Sequence, residues 1–172
     1  MKKGTAAIAL AALVLVSCSS SPDSPASAEP CKESGPVSAQ AVAGASDNIF
    51  VARIIAKDSQ YEDNFGPNDV YKVQTLNTLS GGAKGEVHVS LPGVREADLT
   101  VCHYAVSDLD PNGVYLLATR YNSQRTVYAI LAYPQAVAKI DDDDVKKIAT
   151  PEEPESIKAM REAIKHPVAP RM

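Results

Sequence analysis

Ile49-Phe50-Val51-Ala52-Arg53-Ile54-Ile55-Ala56 is the most apolar stretch of the chain outside its N-terminal leader. It is short and rich in β-branched residues, which suits a largely buried strand better than a helix. Val70 to Leu76, rich in Val, Tyr and Thr, predicts a second strand. Glu86-Val87-His88-Val89-Ser90-Leu91 alternates cleanly, so Val87, Val89 and Leu91 are expected to face the core and Glu86, His88 and Ser90 the solvent. Val114 to Thr119 and Val127 to Ala132 read as two more strands. Between them stand polar turn-forming segments: Asp58 to Asp69 with its Gly66-Pro67-Asn68-Asp69, Ser80 to Gly85, Asp108 to Gly113, and Tyr121 to Thr126. Residues 97–107 are ambiguous. Five short strands with hairpin-length connections predict a mainly β fold, a small antiparallel barrel or sandwich.

Helical signals flank this region. Val37 to Ala45 is small and weakly helical, and Ser46-Asp47-Asn48 closes it. Asp141 to Asp144 precedes Val145-Lys146-Lys147-Ile148, where negative charge suits a helix N-terminus. The glycine and closing glutamate of a calcium loop are absent, so this acidic run reads as a solvated cap. Thr150-Pro151-Glu152-Glu153 offers a capping hydroxyl, proline at the first helical position and glutamate at the third. Ile157, Met160 and Ile164 then share one face, predicting a terminal helix packed on the β domain.

The N-terminus carries an address. Met1-Lys2-Lys3 is followed by apolar or small residues from Thr5 to Val16, a secretory signal layout well short of the roughly 20 residues a spanning helix needs. Leu15-Val16-Ser17-Cys18 resembles the lipobox of bacterial lipoproteins. That resemblance implies a diacylglyceryl group on the Cys18 thiol, cleavage just before it, and Leu15, Val16 and Ser17 as recognition positions. Residues 1–17 are then the signal peptide, and the product is held by lipid on the extracytoplasmic side of the cell envelope. Ser19 to Ala28 has no large apolar residue to offset the entropy of ordering it, so residues 18–30 read as a lipidated flexible tether. With Cys18 acylated, Cys31 and Cys102 are what remain of three cysteines, and an oxidising compartment predicts that they pair. Such a disulfide contributes about 2–4 kcal/mol, mainly by restricting the unfolded chain.

Cys31 followed by Ser46-Asp47-Asn48-Ile49-Phe50-Val51-Ala52-Arg53-Ile54 resembles the opening of the netrin-like modules, which include the tissue inhibitors of metalloproteinases. Tyr71-Lys72-Val73 through Leu79-Ser80-Gly81-Gly82 is similar to their second strand and its turn, and Cys102 with Asp110 to Leu117 to their later cysteine and strand. The resemblance implies a five-stranded antiparallel OB-type barrel over residues 31–140, with Cys31 stapled to the region of Cys102, and a helical extension over 141–172. In the inhibitors the first cysteine is a free N-terminus in a Cys-x-Cys pair that chelates the protease zinc. Here Lys32 and Glu33 follow Cys31, and cleavage at Cys18 leaves Cys31 without a free amine.

No constellation for catalysis is present. His88, His103 and His166 lie far apart without a second ligand at metal-site spacing, so no metal is assigned. No Gly-x-Ser-x-Gly elbow occurs, and Gly81-Gly82 with Gly85 lacks the phosphate-loop pattern, so no cofactor and no enzymatic role are expected. The net charge of -4 and the absence of Trp argue against nucleic acid, which needs a basic groove with stacking aromatics. The expectation is a membrane-anchored surface lipoprotein whose domain is a non-catalytic binding module for a protein or small ligand. A metalloproteinase-type inhibitor ranks second, and an enzyme using scattered carboxylates such as Glu86 or Asp98 third. The best ligand surface is one barrel face with its loops at Ser59–Asn68 and Tyr121–Gln124, where Tyr61, Phe65, Tyr121 and Asn122 suit contacts.

Overall fold

The computed structural model describes residues 37–64, 66–92 and 108–169. The leader, the tether, Cys18, Cys31, Phe65, Cys102 and His103 lie outside the described residues, and with them the lipidation and disulfide expectations. The helix α1 (Ala39–Ala45) opens where the Ser38 hydroxyl accepts the Ala41 N–H at 3.2 Å, the usual device for a helix start. Six strands follow: β1 (Asn48–Asp63), β2 (Gly66–Ser80), β3 (Glu86–Pro92), β4 (Val114–Asn122), β5 (Val127–Ile130) and β6 (Val137–Ile140). The pairings run β1-β2-β3-β5-β4 and return from β4 to β1, so they close into a ring, while β6 pairs with β4 alone. The described chain is thus mainly β, with a C-terminal helix.

Two features depart from the all-antiparallel, five-stranded expectation. β3 and β5 pair in parallel, over Val89–Tyr128 and Ser90–Ala129. Val137-Ala138-Lys139-Ile140 forms the sixth strand; four residues set off by a proline turn carry too little periodicity to announce it.

The polar tract Asp58–Asp69 is also not a loop. Most of it is the extended stem of the β1–β2 hairpin, in register from Ser59–Val70 to Asp63–Gly66. Its polarity reflects solvent around β1, not a turn. Cross-strand contacts hold it: Lys57 Nζ and Gln60 Nε2 donate to the Asp69 carboxylate at 2.7 and 2.8 Å. Ile55 shares the outward side with Arg53 by strand alternation, at a register shift between Ile54 and Ala56, so this member of the apolar run is 39% exposed. Its neighbours Phe50, Val51 and Ile54 are fully buried with Val73, Val89 and Leu117.

Along β3, Val89 and Leu91 are buried as expected, Val87 is half-buried and Glu86 exposed. Ser90 is not solvated as expected. It is fully buried, because β3 is paired on both sides and the Tyr61 hydroxyl donates to Ser90 Oγ at 3.2 Å from above.

At the C-terminus, α2 (Asp142–Val145) is a single turn whose first residues are the acidic run. Asn77 Nδ2 donates to the Ile148 carbonyl at 3.1 Å and ties the following turn to β2. The last helix, α3 (Glu155–Lys165), begins after Pro154, not at Pro151. The residue before a proline avoids helical geometry, and Glu153 instead pairs with Arg161 at 3.0 Å. Thr150 makes only a local turn, its hydroxyl accepting from Glu152 N–H at 3.2 Å. Ile157 and Met160 are buried and Ile164 half-buried. α3 packs beside α1, where Val168 N–H donates to the Gln40 carbonyl at 3.0 Å. A side chain at Gly44 would collide with the Val168 carbonyl, so glycine is what lets this segment seat.

The buried Tyr71 hydroxyl donates to Asp108, which also accepts the Leu109 N–H at 2.9 Å. Burial, then the bond to Asp108, pushes the Tyr71 phenol far above its usual range. Tyr115 and Tyr128 are also raised, mainly by burial. A phenol that ionises later in the folded state stabilises it fully below the unfolded value of about 10, and that stabilisation is lost as pH climbs toward the folded value. Stability measured by urea denaturation should therefore fall above about pH 10. The fall should be shallower in Tyr71→Phe, and an unchanged slope would refute the assignment to this phenol.

Candidate functional site

Register places one row of side chains across the outward face of the sheet: Ser59 opposite Val70, Val70 opposite Ser90, Ser90 opposite Ala129, and Ala129 opposite Arg120. Paired residues share a face, and residues two apart along a strand return to it, so Tyr61 and Asn122 belong to the same surface.

Over this face stands the β4–β5 turn. Asn122 Oδ1 accepts the N–H groups of Gln124 and Arg125 at 3.1 and 3.2 Å, closing an Asx-type turn. Thr126 completes it with φ +59°, a left-handed conformation that strains a β-branched residue. The turn brings Arg125 back over the sheet, with its guanidinium carbon 4.0 Å from the Tyr61 ring centroid. Tyr61 is fixed in turn by its bond to Ser90.

Between the hairpin stem and this turn lies an open cleft of about 470 Å³. Val70 and Val127, both 5% exposed, form an apolar floor, and Tyr61 with Arg125 forms one wall. At another wall His88 Nε2 stands 3.5 Å from the Asp58 carboxylate. A shallower hollow of about 440 Å³, bordered by Arg120, Asn122 and Ser123, adjoins it, and Gln124 borders both. These groups are suited to binding: an aromatic ring against a guanidinium, a group with five N–H donors, in one cleft with an apolar floor.

The residues singled out from sequence separate. Tyr61 and Gln124 meet in the cleft, although they come from distant parts of the chain. Asn122 builds the turn. Tyr121 borders the adjoining hollow beside Asn122, but by strand alternation its ring lies on the other side, 4.9 Å from Tyr128, which meets buried Phe50 edge-on at 5.6 Å. Its N–H donates to both Asp47 carboxylate oxygens at 3.0 Å, so Tyr121 caps the core's aromatic run while remaining 42% exposed. Phe65 lies outside the described residues. Sequence reasoning missed Arg125, His88 and Asp58. The outward alternation of His88 was a signal for one of them; the stacking of Arg125 on Tyr61 had none.

Among the described residues no group of three or more His, Cys, Asp or Glu side chains converges, and no helix is long and apolar enough to cross a membrane. No protein-family model matches the chain, and no curated protein matches it.

Proposed function

We propose that this chain is a lipid-anchored envelope protein whose domain is an OB-type barrel, serving as a non-catalytic binding module through the outward cleft. The observation that carries the binding role is the convergence of Tyr61 and Arg125, from the β1–β2 stem and the β4–β5 turn, on one cleft with a buried apolar floor. The return of the pairing order from β4 to β1 supports the OB-type architecture. So does the cleft's position beside the outward β2–β3 face and the β4–β5 turn, where such barrels take ligands. The anchor rests on Leu15-Val16-Ser17-Cys18 and on the Ser/Pro-rich stretch without large apolar residues that follows. The metalloproteinase-inhibitor alternative rests on the netrin-like resemblance alone, and lipidation at Cys18 removes the free amine it requires at Cys31.

In the native host, an alkyne palmitate should label the wild-type chain and not Cys18→Ser. A photo-crosslinker at Gln124 should give a discrete adduct that Arg125→Ala abolishes. A chain that takes no label overturns the anchor, and a crosslinker that traps nothing overturns the binding module.

A further inference from the structure

Arg125 is held in place without being neutralised. Its guanidinium lies over the Tyr61 ring at 4.0 Å, and among the described residues it joins no ion pair. A guanidinium that meets a ring through its face keeps its edge, a planar fork of N–H donors, for a second partner. The complement of that fork is a planar carboxylate, which it meets with two parallel bonds.

What surrounds the fork narrows the source of the carboxylate. The cleft is open, so it does not enclose a small molecule as ligand pockets do. One face of Tyr61 is covered by Arg125, so that face offers no platform for a pyranose ring to stack on. The floor is Val70 and Val127, apolar residues of the same cleft as Arg125, which suits the methylene stem of a glutamate. Tyr and Arg are also the residue types that dominate protein–protein binding energies. Asp58, 3.5 Å from His88 Nε2, marks the opposite wall, and Arg125 is the arginine of the cleft lining that joins no ion pair among the described residues. From this charge complementarity we infer that the cleft is the docking site for an acidic peptide segment of a partner protein, with a glutamate carboxylate on Arg125 and its stem over Val70 and Val127. The inference rests on the binding-module reading above.

The test is fluorescence anisotropy of a fluorescein-labelled hexaglutamate peptide titrated with the full chain in detergent at low salt. The protein's net charge of -4 gives the peptide no bulk attraction, so any binding reports a local site. Hexaglutamate should bind at least about tenfold more tightly than hexaglutamine, and should weaken as salt is raised. Arg125→Ala and Arg125→Lys should both lose most of this preference, because lysine keeps the charge without the fork. Lys84→Ala, which removes an exposed cation elsewhere, should bind as wild type. Equal binding of hexaglutamine, or undiminished binding in both Arg125 variants, overturns the inference. Equally tight binding of hexagalacturonate overturns it in favour of an acidic saccharide. An adduct from Gln124 in cells, without hexaglutamate binding, discards the acidic peptide and keeps the module; absence of the adduct discards both.

Discussion

Phe50→Ala should destabilise the domain by about 3–5 kcal/mol, the range for removing a fully buried aromatic ring. Phe50 is fully buried, and its ring meets Tyr128 edge-on at 5.6 Å and 77°. Its strand cannot move in to fill the space, because β1 is paired on both sides there, with Thr78 of β2 and Leu117 of β4. A site that cannot collapse keeps its cavity, and the cavity adds to the lost transfer energy. The cost should appear as a lower urea midpoint at unchanged slope. Ile55→Ala is the internal comparison: the same apolar run, a residue of similar size, but 39% exposed at a bulge. It should cost only a few tenths to about 1 kcal/mol. Equal losses at the two positions would mean that β1 is not seated as described.

That contrast marks how far the chain could be read before folding. The run from Ile49 to Ala56 announces a strand because β-branched and aromatic residues crowd it, and Arg53 marks the outward side that Ile55 shares, yet nothing in it shows that Phe50, Val51 and Ala52 are all buried in succession. The register shift between Val51 and Ala52 that accompanies this burial arises from pairing with β2, a long-range fact. The alternation of β3 was legible, but the burial of Ser90 depends on Tyr61 reaching across from another strand. The hairpin stem was misread for the opposite reason: a strand wrapped in water has no apolar period to show. At the site, tyrosines and amides in two polar segments pointed to the right neighbourhood. The cleft itself needs an Asx turn, a left-handed Thr126 and a guanidinium folded back on Tyr61, and the sequence shows only that Arg125 follows Gln124.

Three glycines between β2 and β3 look alike in the sequence and should behave differently. Gly81 has φ +87°, and a Cβ there would overlap Asn48 Oδ1 and stand 2.6 Å from the Asp47 carbonyl oxygen. Asn48 is buried and committed: its Oδ1 accepts the Gly82 N–H at 2.8 Å and its Nδ2 donates to Asp47 Oδ1 at 2.6 Å. Asp47 receives the Tyr121 N–H, and the Asn48 carbonyl accepts from Thr119 Oγ1 at 3.1 Å, so this knot joins β1, the β2–β3 turn and β4 where the ring closes. Gly81→Ala should therefore cost the roughly 1–2 kcal/mol of a left-handed alanine plus about 1–3 kcal/mol for leaving buried Asn48 unsatisfied. Gly85 has φ +69° but open space around its Cβ position, so Gly85→Ala should cost only the backbone strain of about 1–2 kcal/mol. Gly82 has neither constraint; Gly82→Ala should be neutral or stabilise by up to about 1 kcal/mol by restricting the unfolded chain. Urea midpoints of the three variants test the order directly. If Gly81→Ala loses no more than Gly85→Ala, Asn48 moves aside freely and the ring is closed by its strands alone.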